Sequence, residues 1–355
     1  ATVQNPIADW NTTNWYFIAS PISANVNPAT DGMYMITDNL GNTATTETAT
    51  YDLYSLDVTQ AQEEWQNYRQ HNFNLVNGMG YLYASKNGTT LNFTGNIQPS
   101  NTNVTVSDLN DGFNLVGNPY TCEAYVNQPY YTLSQVADVV TSATIATANS
   151  VAIAPLTGVV ISGTSATFSK TPANSGSSKG ALERSITKIG GRSVATLDNA
   201  ILSFGEGSKL EKFYFGTQDA NIYIPQNGEQ YAIVNADNQG EMPVNFKANA
   251  DGQYTISVST DNVEMGYMHL VDMKNGMDID LMATPSYTFE AKANDNAGRF
   301  RLLFRATGVE ENTVDNEDGF AFVSNGQIVV TGEGTLRIVD MLGRTVGSYN
   351  TNERI

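Results

Sequence analysis

The sequence predicts an all-β protein. Short runs rich in β-branched and aromatic residues recur between clusters of Gly, Asn, Asp and Pro, as in "NWYFIASP", "GYLYAS", "QYTISVST" and "RFRLLFRA". That rhythm is the signature of sandwiches and jelly rolls, not of βαβ units. Helical periodicity is scarce; residues 59–70 ("TQAQEEWQNYRQ") and 132–140 ("TLSQVADVV") are the only stretches where a short helix competes with an irregular crossover. Third, "YMHLVDMKNGMDIDLMA" reads as two alternating strands around Asn275-Gly276, the dipeptide suited to a type I′ turn.

The elements follow in order. "NWYFIASPI" (14–22) is echoed by "GFNLVGNPY" (112–120), and "GYLYASKNGTTLNFTG" (80–95) by "SVAIAPLTGVVISGTSATFS" (150–169). The echo implies two similar β units, residues 1–98 and 107–170, packed as one duplicated, pseudo-symmetric domain over residues 1–170. The proline after each apolar strand ends it, because proline donates nothing to the ladder. Residues 171–180 ("TPANSGSSKG") have linker composition. A β-sandwich of jelly-roll or Ig-like type follows over 181–308, then an acidic linker at 309–318 and a last segment, 319–355.

Charge narrows the function. The 355 residues carry 36 acidic and 18 basic groups, a net charge of −18. Such a field repels phosphate backbones and anionic membranes, so no nucleic acid is expected as partner. A single cysteine, Cys122, allows no internal disulfide and no CxxC pair; beside "GNPY" it reads as a small buried residue. No apolar run is long enough to span a bilayer. Low charge density with abundant Asn, Thr, Ser, Gly and Tyr suits a secreted β protein.

Catalytic patterns are thin. There are two histidines, His71 and His269, so HExxH metal sites are absent. His269 lies mid-strand and reads as half-buried. The one GxSxG, residues 176–180, sits in the linker without the strand–turn–helix context of a nucleophile elbow. Asp278 and Asp280, at i and i+2, share one strand face and read as solvated edge charges. Asp237 and Asp251 lie in oxygen-rich, glycine-bearing loops; Asx turns explain these loops, with calcium as the functional alternative. Among the tryptophans, Trp65, with Tyr68 three residues on, lies in the polar "EEWQNYRQ" and is the expected exposed glycan-binding face.

The C-terminal "TLRIVDMLGRTVGSYN" (335–350) resembles the start of the C-terminal sorting domain of type IX secretion cargo, the Por-type sorting domain. Leu336 and Ile338 alternate before Asp340 and Met341, and Gly343 and Arg344 lead into a second strand; residues 340–343 form a β-turn with Gly343 free to take positive φ. The upstream strands are similar to non-catalytic modules of the same secreted proteins. The resemblance implies export by the type IX machinery to the outer-membrane surface or the medium, and a non-enzymatic, adhesin-like or structural protein. Its β modules would bind glycan or protein, or self-associate. A hydrolase or an enzyme-accessory carbohydrate-binding protein, using surface aromatics and carboxylates, is the alternative. The later strands and basic terminus of the sorting domain do not appear, so 319–355 reads as a partial Ig-like domain. Its apolar residues, among them Val346, would then need cover from the preceding sandwich or a neighbouring chain, most naturally by β-augmentation.

Overall fold

The computed structural model describes the chain outside residues 11–14, 32, 39–43, 46–47, 61–62, 135–138, 144–150, 173–177, 190–195, 206–208, 216–218, 238, 262, 308–319, 325–326, 332–333, 340–344 and 352–355. The described residues form strands and connecting turns, with no helix among them.

The first six strands are β1 (Thr2–Ile7), β2 (Tyr16–Ala19), β3 (Tyr51–Leu56), β4 (Trp65–Asn67), β5 (Gly80–Ser85) and β6 (Thr89–Thr94). They make a four-stranded sheet, β2-β5-β3-β4, and a two-stranded one, β1-β6. The next seven are β7 (Val104–Val106), β8 (Phe113–Gly117), β9 (Tyr125–Val126), β10 (Tyr130–Ser134), β11 (Val139–Ala143), β12 (Gly158–Ser162) and β13 (Ala166–Ser169). They make a four-stranded sheet, β8-β12-β10-β11, and a small one, β7-β13-β9.

The two sets repeat one construction. Ala19 faces Gly80 across β2–β5 as Gly117 faces Gly158 across β8–β12. Tyr54 faces Leu82, and Tyr131 faces Val160, at corresponding places. The sets also cross-connect reciprocally. The Ala19 N–H donates to the Leu156 carbonyl (3.0 Å), and the Gly117 N–H to the Gly78 carbonyl (2.8 Å). β7 lies ahead of residue 107, so the second set starts a few residues earlier than its sequence echo.

Where the sets meet there is room for one methyl. A Cβ on Gly117 would lie 2.4 Å from the Cβ of Ala19, its counterpart. Gly117→Ala is therefore expected to cost about 1–3 kcal/mol through overpacking. Adding Ala19→Gly should restore only part of it, because the same Cβ would still lie 2.9 Å from the Met79 carbonyl oxygen. Urea unfolding of the three variants checks this, and equal stability of Gly117→Ala and the double variant would contradict it.

Neither candidate helix forms. Residues 65–67 pair as β4 with β3 (Tyr54↔Asn67, Leu56↔Trp65), and 130–134 pair as β10. Ladder pairing outweighs the local helical preference of "QEEWQNY".

The remaining core belongs to β14 (Ser178–Ile189), β15 (Thr196–Gly205), β16 (Leu210–Glu211), β17 (Ala220–Gln226), β18 (Glu229–Ala236), β19 (Gln239–Ala248), β20 (Gly252–Asp261), β21 (Glu264–Asp272), β22 (Met277–Asp280), β23 (Ser286–Ala291) and β24 (Phe300–Thr307). Their order is β22-β21-β24-β19-β17-β18-β15-β14-β20-β23, with β16 beside β18. β14 opens at Ser178, inside the stretch expected as linker. Alternation places Val244, Phe246 and Ala248 of β19 inward and Asn245 and Lys247 outward. Facing layers meet through aromatic rings: Phe246 lies 5.0 Å from Phe289, and Phe204 lies 5.7 Å from Phe304. This is a β-sandwich.

The hairpin at 273–276 differs from its sequence reading. Asp272 pairs with Met277 across a four-residue loop, and only Gly276 has positive φ (65°). The Gly276 N–H closes it by donating to the Asp272 carbonyl at 2.8 Å. Lys274 and Asn275 instead turn back onto the Asp272 carboxylate, which a two-residue type I′ turn would not permit.

β5 and β12 are buried on both faces, and this arranges the molecule in layers. Tyr81 and Tyr83 point into the first unit's own core, while Val159 and Ile161 point into the second unit's. Between them on the strands, Leu82 and Val160 point the other way, into a shared core with Phe17, Leu115 and Tyr131. The sandwich closes that core with Ile201, Leu210, Phe213, Ala232 and Ile233. β15 is thus apolar on both faces: Leu202 and Phe204 serve the sandwich and Ile201 the shared core.

The last strands are β25 (Phe320–Ser324) with β26 (Gln327–Thr331), and β27 (Gly334–Val339) with β28 (Thr345–Thr351), each an antiparallel pair. β25 lies beside β19. β28 turns Val346 (65 %) and Tyr349 (54 %) to solvent, so Val346 does not join a covered apolar face. Cover was expected from the preceding sandwich or a neighbouring chain; within this chain Ser348 and Tyr349, on opposite faces of β28, are both exposed.

Candidate functional site

Of the sorting-motif residues, Leu336 and Ile338 lie in β27, opposite Tyr349 and Gly347 of β28. Ile338 is half-buried. Asp340, Met341, Gly343 and Arg344 fall outside the described residues, as do the acidic linker and the first two residues of the GxSxG stretch.

Trp65 and Tyr68 do not share a surface. β4 is an edge strand that turns sharply at residue 68. Trp65 stays half-buried, with its ring edge-on to Phe215 at 5.8 Å, at the margin of the shared core. Tyr68 turns under into the first unit's core, against Phe73 at 5.2 Å. Arg69 of the same polar stretch is itself buried, bound to Asp38. A paired-ring glycan face is therefore not formed there.

Asp251 is exposed and accepts the Ala293 N–H at 2.9 Å, which ties two loops together; Asp237 is also exposed. Among the described residues, no three His, Cys, Asp or Glu side chains gather to hold a metal ion. His269, Asp278 and Asp280 do meet on one face of β21–β22. The His269 Nδ1 is 2.8 Å from Asp278, the Nε2 is 4.0 Å from Asp280, and the ring stacks on Tyr267 at 4.4 Å. Cys122 is half-buried beside the second unit's core.

The sequence did not reveal the buried ion pairs. Arg69 grips Asp38 with two nitrogens (2.8 and 2.6 Å) and lies over the Tyr51 ring. Lys212 meets Asp198 at 2.5 Å, and Arg299 holds Asp272 through Nε (2.9 Å) and Nη2 (2.7 Å). Their partners are far apart in the chain, so no local motif marks them.

One cleft of about 260 Å³ opens where the two units meet. β1 contributes Asn5 and Pro6, β2 contributes Trp15 and Tyr16 beside it, and Thr132 and Thr157 come from the second unit. Apolar residues, among them Phe17, Ile18, Leu133 and Leu156, make much of the lining, and among the described residues no charged side chain lines it. The sequence echo predicted a junction between units but carried no sign of a cavity in it.

Comparison with known proteins adds one similarity. Over 115 residues, 31 % of the chain, the sequence is 29 % identical to the Minor fimbrium subunit Mfa5 of Porphyromonas gingivalis. The matched stretch spans 9 % of that protein's length. No family model matches the chain, and no solved structure matches it significantly. The similarity is weak and partial, and it points toward cell-surface, adhesin-like or structural proteins.

Proposed function

We propose that this chain is a non-enzymatic, adhesin-like or structural part of a protein displayed on, or released from, a bacterial outer surface. The observation that carries the reading is the similarity to a fimbrial subunit. The architecture supports it: stacked β layers joined by a continuous core form a rigid spacer suited to presenting a surface. Export by the type IX machinery is part of the proposal. It is supported by the strand–turn–strand pattern of residues 335–350, where β27 and β28 do pair. Association with a neighbouring copy is also proposed, through the solvent-facing side of β28.

The test is surface labelling of intact cells that express the native gene, in hosts with and without a type IX apparatus. Antibody access and external protease cleavage are expected only where the apparatus is present. Retention inside the cell in both hosts would overturn the reading; display in both would remove the type IX step alone.

A further inference from the structure

The duplicated architecture supplies its own control for the cleft. Two equivalent junctions exist, because the units contact each other reciprocally. Val3 faces Phe93 in β1–β6, and Val104 faces Phe168 in β7–β13, so Asn5 corresponds to Val106. Leu156 corresponds to Gly78, since each carbonyl accepts the crossing N–H of the other unit.

The first junction is sealed. A Cβ on Gly78 would lie 2.6 Å from Val106 Cγ2 and 3.6 Å from Val104 Cγ1, so valine packs directly on the glycine. At the second junction, Asn5 replaces the valine and Leu156 the glycine, and the cleft opens between them. Leu156 has φ +64°, in the left-handed region where its counterpart Gly78 (φ +87°) sits without strain. The Leu156 side chain is buried against the first unit's core, and that packing holds a non-glycine residue in this conformation.

We propose that this second junction binds a single neutral pyranose ring, in a reading that rests on the adhesin-like role for its use. Trp15, at the margin of the shared core, and Tyr16, at the margin of the first unit's core, both reach the cleft and give it apolar surface suited to a sugar ring. The Asn5 amide and the Thr132 and Thr157 hydroxyls suit its hydroxyl groups. The volume is near the small end of ligand sites, about 300–1,000 Å³, which favours one ring over a peptide. An anionic sugar would find no cation among the described lining residues, inside a chain already at −18.

The experiment follows the Trp15 indole N–H by NMR in the full chain, assigned with Trp15→Phe. The probes are methyl glycosides of glucose, galactose, mannose and N-acetylglucosamine, with glucuronate and sialic acid as charged controls. A saturable shift by at least one neutral glycoside is expected, with Kd on the order of 1 mM. Asn5→Leu replaces the amide by apolar bulk at the cleft wall and should weaken binding at least about tenfold, the loss expected for one or two buried polar contacts. Asn5→Val alone, a conservative change on a strand, should give a smaller loss in the same direction. No saturable shift, an equal response to charged sugars, or undiminished binding by both variants would overturn the proposal. A silent cleft in a chain still displayed on cells would leave the proposed function standing.

Discussion

Tyr131→Ala is expected to lower the stability of the whole molecule by about 3–5 kcal/mol, the cost of removing a large buried aromatic. Tyr131 is fully buried in the shared core, and burial pushes its hydroxyl pKa well above the ordinary tyrosine value. The hydroxyl donates to the Glu211 carbonyl and accepts the Phe213 N–H at 3.0 Å. One side chain from the duplicated domain thus satisfies two backbone groups of the sandwich. Tyr131→Phe should still cost about 1–3 kcal/mol, because both groups are left unpaired out of water. Tyr54, the corresponding tyrosine of the first unit, is only half-buried, so Tyr54→Phe should cost less. Calorimetry offers a second reading: one transition in the native chain and two in Tyr131→Ala, as the domain and the sandwich uncouple. A loss below about 0.5 kcal/mol, the scale of ordinary surface changes, would show that the layers are not coupled there.

The second large effect lies at Asp272. Its carboxylate accepts from Arg299, the Lys274 N–H (3.0 Å), the Asn275 amide (3.1 Å) and the Tyr287 hydroxyl (3.0 Å). The Arg299 guanidinium is itself flanked by the Phe289 and Phe300 rings at 4.5 and 5.1 Å. Asp272→Ala leaves that charge buried and unpaired, at an expected cost of about 3–5 kcal/mol in urea unfolding. Burial alone would raise the Asp272 pKa. The Arg299 bonds and charge, with the other donors, more than offset this and hold it below the ordinary range. A depressed carboxylate pKa stabilises the fold above its unfolded value, about 3.9, and that stabilisation is lost as pH falls through the folded value. Melting temperatures between about pH 2 and 5 should therefore fall less steeply in Asp272→Asn than in the native chain. Parallel curves would show that the carboxylate is not linked to folding.

Alternation made the strands legible in the sequence, because a half-buried strand shows its two faces directly in residue order. The echo between residues 14–22 and 112–120 was legible for the same reason: β2 and β8 each face the shared core on one side and their own unit's core on the other, and need the same pattern. Trp65 and Tyr68 failed because polarity along the chain says nothing about which way a turn sends a ring. Residues 59–70 left a short helix and an irregular crossover both open, because neither reading sees that β3 pairs with residues 65–67. Asp272 and Arg299, or Asp198 and Lys212, gave no signal, since a buried pair depends on sheet register and not on spacing. The cleft was invisible because it is a difference between two copies: it appears only when Asn5 and Leu156 are set beside Val106 and Gly78.

The reciprocal bonds between the units also fix when this chain can finish folding. Ala19 waits for Leu156, Ile18 bridges Thr157, and β1 can pair only once β6 exists. The earlier strands of this chain therefore stay without their final neighbours until the second unit has been synthesised. Distant pairings of this kind slow folding and prolong the exposure of unpaired edges.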